Sequence, residues 1–356
     1  MHITTISAAA CTTVTQLPIF AMDIAKSVFQ LHTISTDGRE VRRKLSRGKL
    51  MEFFTRQQRC LIVMEACGGA HYWARQLQQL GHEVRLLPAQ HVKSCVVGDK
   101  TDARDARGIY LAAHQPHIHP VPVKSVWQQE CLGLLGERGA LLDARIAACN
   151  ALRSRLMEFG IVFAKDWRVM LRSLPLALAD AQERGLISSI TVETARWQVQ
   201  HIQRLQEGIE HFERLIAEQV RTNPLMRALV EIHGIGPLTA MMLVASEPDM
   251  SRFASARQFV SYLGLAPRQK GTGGKVRQLG ISKRGNRYLR CLLMHCARSL
   301  MQSKRGASND WIQALRARRP YNVAVAAVAS KLARTIWAVL VRGKPFDAAK
   351  WNPAAA

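Results

Sequence analysis

The sequence predicts an α/β domain, then a helical arm, then a mainly helical and strongly basic C-terminal region. Three observations carry this: strand-length apolar runs flanking one amphipathic helix, a Gly-poor middle with three-four apolar spacing, and Lys and Arg concentrated in the last third. The boundaries fall at 1–124, 125–223 and 224–356.

In the first region, "PIFAMDIAKSVFQLHTISTDGREV" reads as an apolar strand and then a β-branched and aromatic run closing at the turn Asp37-Gly38. "CLIVMEACGGAHYWARQLQQLGHEVRLL" follows as a buried strand, a Gly-Gly break, an amphipathic helix from about 71 to 80 stopped by Gly81, and another strand. Strand, helix, strand implies parallel pairing through a right-handed crossover. A further helix, from about 101 to 113, ends at the Pro-rich "HQPHIHPVPV".

The middle region is helical by pattern, with only Pro175 inside it. Ile202, Leu205, Ile209, Phe212 and Ile216 recur at three and four, the spacing of a coiled-coil seam. With "LLDARIAACNALRSRLMEFGI" upstream, this predicts a long antiparallel arm that spaces domains or dimerises. Trp197, Trp311 and Trp337 are expected in helix cores.

Composition narrows the function. A chain of 356 residues with 48% hydrophobic content folds around two or three cores and is not disordered. The net charge is +24, and residues 251–356 hold 21 Lys or Arg against two acids, Asp310 and Asp347. Such a segment predicts a polyanionic partner, because neutralised phosphates release counterions. Eight scattered cysteines, without a C-x-x-C pair, read as reduced thiols of a cytoplasmic protein. The start lacks signal-peptide regions, and Lys331 and Arg334 interrupt the apolar run "YNVAVAAVASKLARTIWAVLV", so no membrane partner is expected. His114, His117 and His119 read as a surface linker, since no Cys or acid completes a tetrahedral set.

The acids are the sharper signal. Asp23 interrupts the apolar strand "IFAMDIA" and Glu65 ends "LIVME". A charge there is costly unless paired, metal-bound or at the rim of a sheet, where ligands of α/β folds collect. Asp102 and Asp105 share a helix face, and first-turn acids also simply complement the helix dipole. Four convergent carboxylates, however, require a cation, and their hard oxygens suit Mg²⁺ or Mn²⁺ for phosphodiester displacement.

In the last region, "IHGIGPLTAMMLVA" fits a helix-hairpin-helix whose Gly234 and Gly236 open a helix towards a phosphate. Residues 267–290, "PRQKGTGGKVRQLGISKRGNRYLR", hold five glycines and eight cations without an acid. A P-loop is excluded, because Gln269 replaces its first Gly and Val276 follows Lys275. What remains is a flexible glycine loop at 271–274 flanked by Arg268, Lys270, Lys275 and Arg277, then a helix beginning with Lys283, Arg284, Arg287 and Arg290, all expected to contact a nucleic-acid backbone.

The ordered set "MDIAK", "VMEACGG", "DKTDARDA", "IHGIGPLTA", "YLGLAPRQ" and "GISKRGNRYLR" resembles the DEDD transposases of the bacterial insertion sequence 110 family, in its 1111 branch, which includes the pilin-gene invertase. The resemblance covers nearly the whole chain. It implies a ribonuclease-H-like (RuvC-like) N-terminal domain, a coiled-coil insertion and a C-terminal transposase domain. It also implies an acidic tetrad at Asp23, Glu65, Asp102 and Asp105, a structured bridge RNA as guide, a homodimer or homotetramer, and a C-terminal hydroxyl that links covalently to DNA. Many relatives carry Ser-Ser or Ser-Thr before the glycines; here Gly271 and Thr272 stand there, so Thr272 is the nucleophile candidate and Ser282 the reserve. Two rival expectations are a RuvC-like nuclease using water and a non-catalytic nucleic-acid-binding protein.

Overall fold

The computed structural model describes residues 17–35, 37–96, 102–247, 249–272 and 275–351; the side chains of Asp102, Ala103, Thr272, Val276 and Lys350 lie outside that description, as does Cys11. The chain divides into two compact units, Met1–Ser125 and Val126–Ala356.

The first unit runs β1 (Ile19–Ile24), β2 (Val28–Ile34), β3 (Glu40–Ser46), α1 (Leu50–Thr55), β4 (Leu61–Glu65), α2 (Ala70–Gln79), β5 (Glu83–Leu87), α3 (Ala89–Lys93) and α4 (Asp102–Ala113). Its five strands lie in the order β3-β2-β1-β4-β5. β1, β2 and β3 pair antiparallel, whereas β4 runs parallel to both β1 and β5. The parallel part follows the strand-helix-strand expectation. β3 was not legible as a strand, because only Val41 and Leu45 of its "EVRRKLS" are even half-buried.

Side-chain alternation divides this sheet into two apolar layers. Met22, Phe29, Leu31, Ile62 and Met64 pack with Phe54 of α1 and Trp73 and Leu77 of α2. Ala21, Leu61 and Val63 face the other way, onto Val92 of α3 and Ile109 and Ala112 of α4. Burying each large apolar side chain contributes about 1.5–3 kcal/mol. Gly81 ends α2 with φ 88°, a left-handed conformation that a side chain would strain.

The second unit contains α5 (Val126–Met157), α6 (Trp167–Glu183), α7 (Ser189–Thr222), α8 (Pro224–Val230), α9 (Pro237–Ser246), α10 (Ala256–Tyr262), the hairpin β6 (Pro267–Thr272) and β7 (Lys275–Ile281), α11 (Arg287–Gln302), α12 (Lys304–Ala307), α13 (Asp310–Arg318), α14 (Tyr321–Arg342) and α15 (Ala348–Trp351). α5 and α7 run antiparallel: Trp127 bonds Gln219, Arg138 pairs with Glu213 and Arg145 bonds Gln206, so rising numbers on one meet falling numbers on the other. At 1.5 Å per residue α5 is about 48 Å long. Ile202, Ile209 and Ile216 of the predicted seam are buried, with Leu205 and Phe212 half-buried between them. α6, capped by Asp166 accepting from the N–H groups of Arg168 and Val169, closes the far end with Met170, Leu174 and Leu178.

Trp197 departs from expectation. It is 62% exposed and stacks on His201, because it falls off the stripe of Ala195, Ile202 and Ile209 that faces the neighbouring helices.

At the near end, Cys131 and Leu135 of α5 and Ile216 and Val220 of α7 join the core built by α8 to α14. α14 is long and apolar enough to cross a membrane by length and composition, yet half of its most apolar window is buried inside the unit. Val325, Val328, Leu332 and Ile336 form that inner face. Lys331 is accommodated by the rings of Trp311 and Trp351, at 4.1 and 4.6 Å, and donates to the Trp351 carbonyl at 2.6 Å.

Either side of the expected glycine loop, Pro267–Thr272 and Lys275–Ile281 pair as antiparallel strands, with Lys270 opposite Arg277 and Thr272 opposite Lys275, so Gly271 and Thr272 lie in a strand. Exposed polar residues on both faces hid the strand alternation, and Gly273 and Gly274 lie outside the described residues.

Candidate active site and nucleic-acid interface

β1 and β4 run in parallel register with Met22 beside Met64. The next residue on each strand is an acid, Asp23 and Glu65, and alternation returns both to the face of Ala21 and Val63, beneath α4. The first turns of α4 add Asp105 to the same place. Asp23, Glu65 and Asp105, all half-buried, line one cavity of about 550 Å³ together with Gln90, Lys93 and Val96. Asp102 opens α4 three residues before Asp105, and its side chain lies outside the described residues.

Backbone proximity holds α4 in position. A Cβ on Gly108 would lie 2.5 Å from Cγ2 of Val96, so this glycine lets the segment after α3 rest directly on the helix. The negative field of the site is felt by Cys67, just beyond β4: burial pushes its thiol up, and the charges of Glu65 and Asp23 push it further. Among the described residues no three His, Cys, Asp or Glu side chains are gathered closely enough to hold an ion as they stand. Gln90 and Lys93 were missed by sequence reading. Their one signal was position, since "AQHVK" directly follows β5 at the carboxyl end of the sheet.

In the second unit, residues 231–236 connect α8 to α9, and Gly236 is the N-cap whose carbonyl accepts from Thr239 and Ala240. Gly234 has φ 90°, and a Cβ there would lie 3.0 Å from Leu300 Cβ and 3.1 Å from the Cys296 carbonyl oxygen, whereas Gly236 has open space around it. Arg268, Lys270, Lys275 and Arg277 are exposed on the hairpin, and Lys283, Arg284 and Arg287 are exposed beyond it. The helix starts later than expected, at Arg287, where the Asn286 side chain accepts from Leu289 N–H. Ser282 is half-buried and its N–H donates to the Ala266 carbonyl at 2.8 Å.

Arg290 is a correction. It is 8% exposed, and its Nη1 donates to the carbonyls of Leu263 at 3.1 Å and Arg284 at 2.8 Å. Instead of facing a phosphate it clamps the segments either side of the hairpin. Arg290, Leu293 and Ala297 recur at three and four on the buried face of α11, a spacing that could have placed it inward.

Comparison with known proteins gives the family. Residues 20–161 match a DEDD-type transposase family, and residues 226–312 match the family described as "Transposase IS116/IS110/IS902 family". The chain is 42% identical over 325 residues to a Pseudomonas aeruginosa protein named "Probable family 20 transposase", covering 90% of this chain and 96% of that protein. The chain belongs to the IS116/IS110/IS902 transposase family. Membership makes it an enzyme that cuts and rejoins DNA. Other relatives are the transposase for insertion sequence element IS1328 of Yersinia enterocolitica, 35% identical over 92% of this chain and 98% of that one. The transposase for insertion sequence element IS1111A of Coxiella burnetii is 35% identical over 93% and 91%.

Proposed function

We propose that the chain excises and inserts a mobile element by cutting DNA at the carboxylate cavity and rejoining it through a protein hydroxyl. The observation that supports this most is the gathering of Asp23, Glu65 and Asp105 from three elements into one cavity at the carboxyl ends of parallel strands. The strand order β3-β2-β1-β4-β5 agrees with a ribonuclease-H-like (RuvC-like) domain.

The donor set fits Mg²⁺ or Mn²⁺, since its oxygens are hard and anionic. Asp23, Glu65 and Asp105, with Asp102, would hold the metal. Like charges keep apart without a cation, and neutralisation draws them closer. A bound ion supplies charge stabilisation to the oxygens of an in-line displacement.

Thr272, with Ser282 in reserve, supplies the attacking hydroxyl. Its oxygen bonds to phosphorus, the bond from phosphorus to the departing sugar oxygen breaks, and the hydroxyl proton ends on that oxygen by way of solvent. Reversal by a different sugar hydroxyl rejoins DNA and frees the threonine. Exposed cations at 268–287 neutralise the backbone, and the turn at 231–236 adds main-chain contact of helix-hairpin-helix type. These contacts read no bases, which leaves target choice to a guide RNA. The α5–α7 pair, as a coiled coil, sets the spacing within a homodimer or homotetramer.

Trapping on a nicked element-end DNA with Mg²⁺ tests this. A covalent adduct in the parent protein that disappears in Thr272→Ala and in Asp105→Asn supports the recombinase. An adduct that persists in Thr272→Ala moves the nucleophile to Ser282 or another hydroxyl. Hydrolysed product without an adduct would make the protein a nuclease, and binding without either product would make it a non-catalytic binder.

A further inference from the structure

We propose that the DNA strand to be cut crosses the carboxylate face of the N-terminal sheet from β3 towards β5, with Lys44 and Lys93 holding phosphates on opposite flanks of the reacting one. This rests on the active-site reading above and adds the path of the substrate. Strand register carries it. Asp23 pairs with Gln30, and Gln30 pairs with Lys44, so residues of three adjacent strands stand in one row.

Neighbours settle which face that row occupies. On β3, Glu40, Arg42 and Lys44 alternate together, and Glu40 pairs with Arg107 of α4 at 3.2 Å. Leu45 packs into the opposite layer, and Arg43 lies over the Phe53 ring of that layer at 5.4 Å. Lys44 therefore faces the α4 side, as Asp23 does. Two strand spacings put it about 10 Å from Asp23, and it is exposed.

The other flank is built by α3. Lys93 is exposed and lines the same cavity as the three acids, with Gln90 one helical turn before it. The order across the rim is thus Lys44, Gln30, Asp23, Glu65, then Gln90 and Lys93. A carboxylate cluster repels a polyanion, and opposite charges on both sides, Lys44 two strands away and Lys93 on the cavity wall, offset that repulsion without neutralising the acids themselves. The amides of Gln30 and Gln90 lie between acids and cations, where they can donate to phosphate oxygens without adding charge.

Cleavage kinetics of the full chain on duplex DNA carrying one element end, with its guide transcript and Mg²⁺, test the path. Lys44→Ala and Lys93→Ala are each expected to raise KM about 3- to 10-fold and to lower the salt slope of binding by about one. Lys44→Arg and Lys93→Arg restore both quantities. Lys49→Ala, ahead of α1 on the opposite layer, leaves them unchanged. A methylphosphonate beside the cut weakens the parent protein to the same extent and the matching alanine variant no further. Unchanged KM and salt slope in both alanine variants, with Asp23→Asn inactive, overturns the path and leaves the active site standing. Wild-type cleavage by Asp23→Asn overturns the site itself, and the path with it.

Discussion

The backbone of Gly285 runs directly against Tyr262: a Cβ on Gly285 would lie 1.9 Å from the Tyr262 carbonyl oxygen. The contact is reciprocal, since a Cβ on Gly264 would lie 2.0 Å from the Arg284 carbonyl oxygen, and both glycines have positive φ. Two sequence motifs, "YLGLAP" and "SKRGN", are therefore one interlocked unit that fixes both ends of the basic hairpin. Gly264→Ala or Gly285→Ala is expected to destabilise this region by about 2–4 kcal/mol. Gly280→Ala, with open space around it, is expected to stay within about 0.5 kcal/mol. Hydrogen exchange of the amides of β6, β7 and α11 reads the difference.

Arg290 and its exposed neighbours should separate cleanly in experiment. Arg290→Ala leaves two backbone carbonyls without their charged donor and is expected to cost about 2–4 kcal/mol of stability. Arg268→Ala and Arg277→Ala should leave stability within about 0.5 kcal/mol. Each should weaken DNA binding irrespective of sequence and lower the salt slope by about one. Urea unfolding and binding titrations across salt concentrations check the two halves.

Acid stability of the first unit is expected to depend on His71. Its Nδ1 accepts from the backbone N–H of Lys124 at 3.2 Å. Burial first, then the charges of Lys124 and Arg75, hold its pKa down at about 4. The unfolded chain takes up this proton near pH 6.5 and the folded one only near 4, so stability is full above that window and is lost as pH falls through it. His71→Gln should flatten the slope between those values, as followed by denaturant midpoints.

Chelation of divalent ions should abolish strand cleavage while DNA binding persists. Asp23→Cys should be inactive with Mg²⁺ and regain part of its activity with Mn²⁺, because thiolate is a softer ligand. Equal activity with both ions would remove Asp23 from the metal set.

Part of this site was visible in the sequence because it breaks local rules. Asp23 interrupts one apolar strand and Glu65 ends another, where a charge is unfavourable, and a functional position is the common reason for such an exception. Lys44 and Lys93 break no rule, since exposed lysines on an edge strand and a short helix are ordinary. Only register and the β5–α3 turn bring them beside the acids. Arg290 was misjudged for the opposite reason: charge is countable in a sequence, whereas burial of a guanidinium depends on carbonyls supplied 6 and 27 residues away.

The position of the acids one residue after Met22 and Met64 makes the proposed site depend on strand pairing. Sheet pairing decides which side of the sheet each acid occupies, and a slip by one residue would send it into the apolar layer. A copy paired one residue out of register therefore lacks the proposed carboxylate cluster. Correct pairing of the sheet is thus the condition for the proposed site to exist.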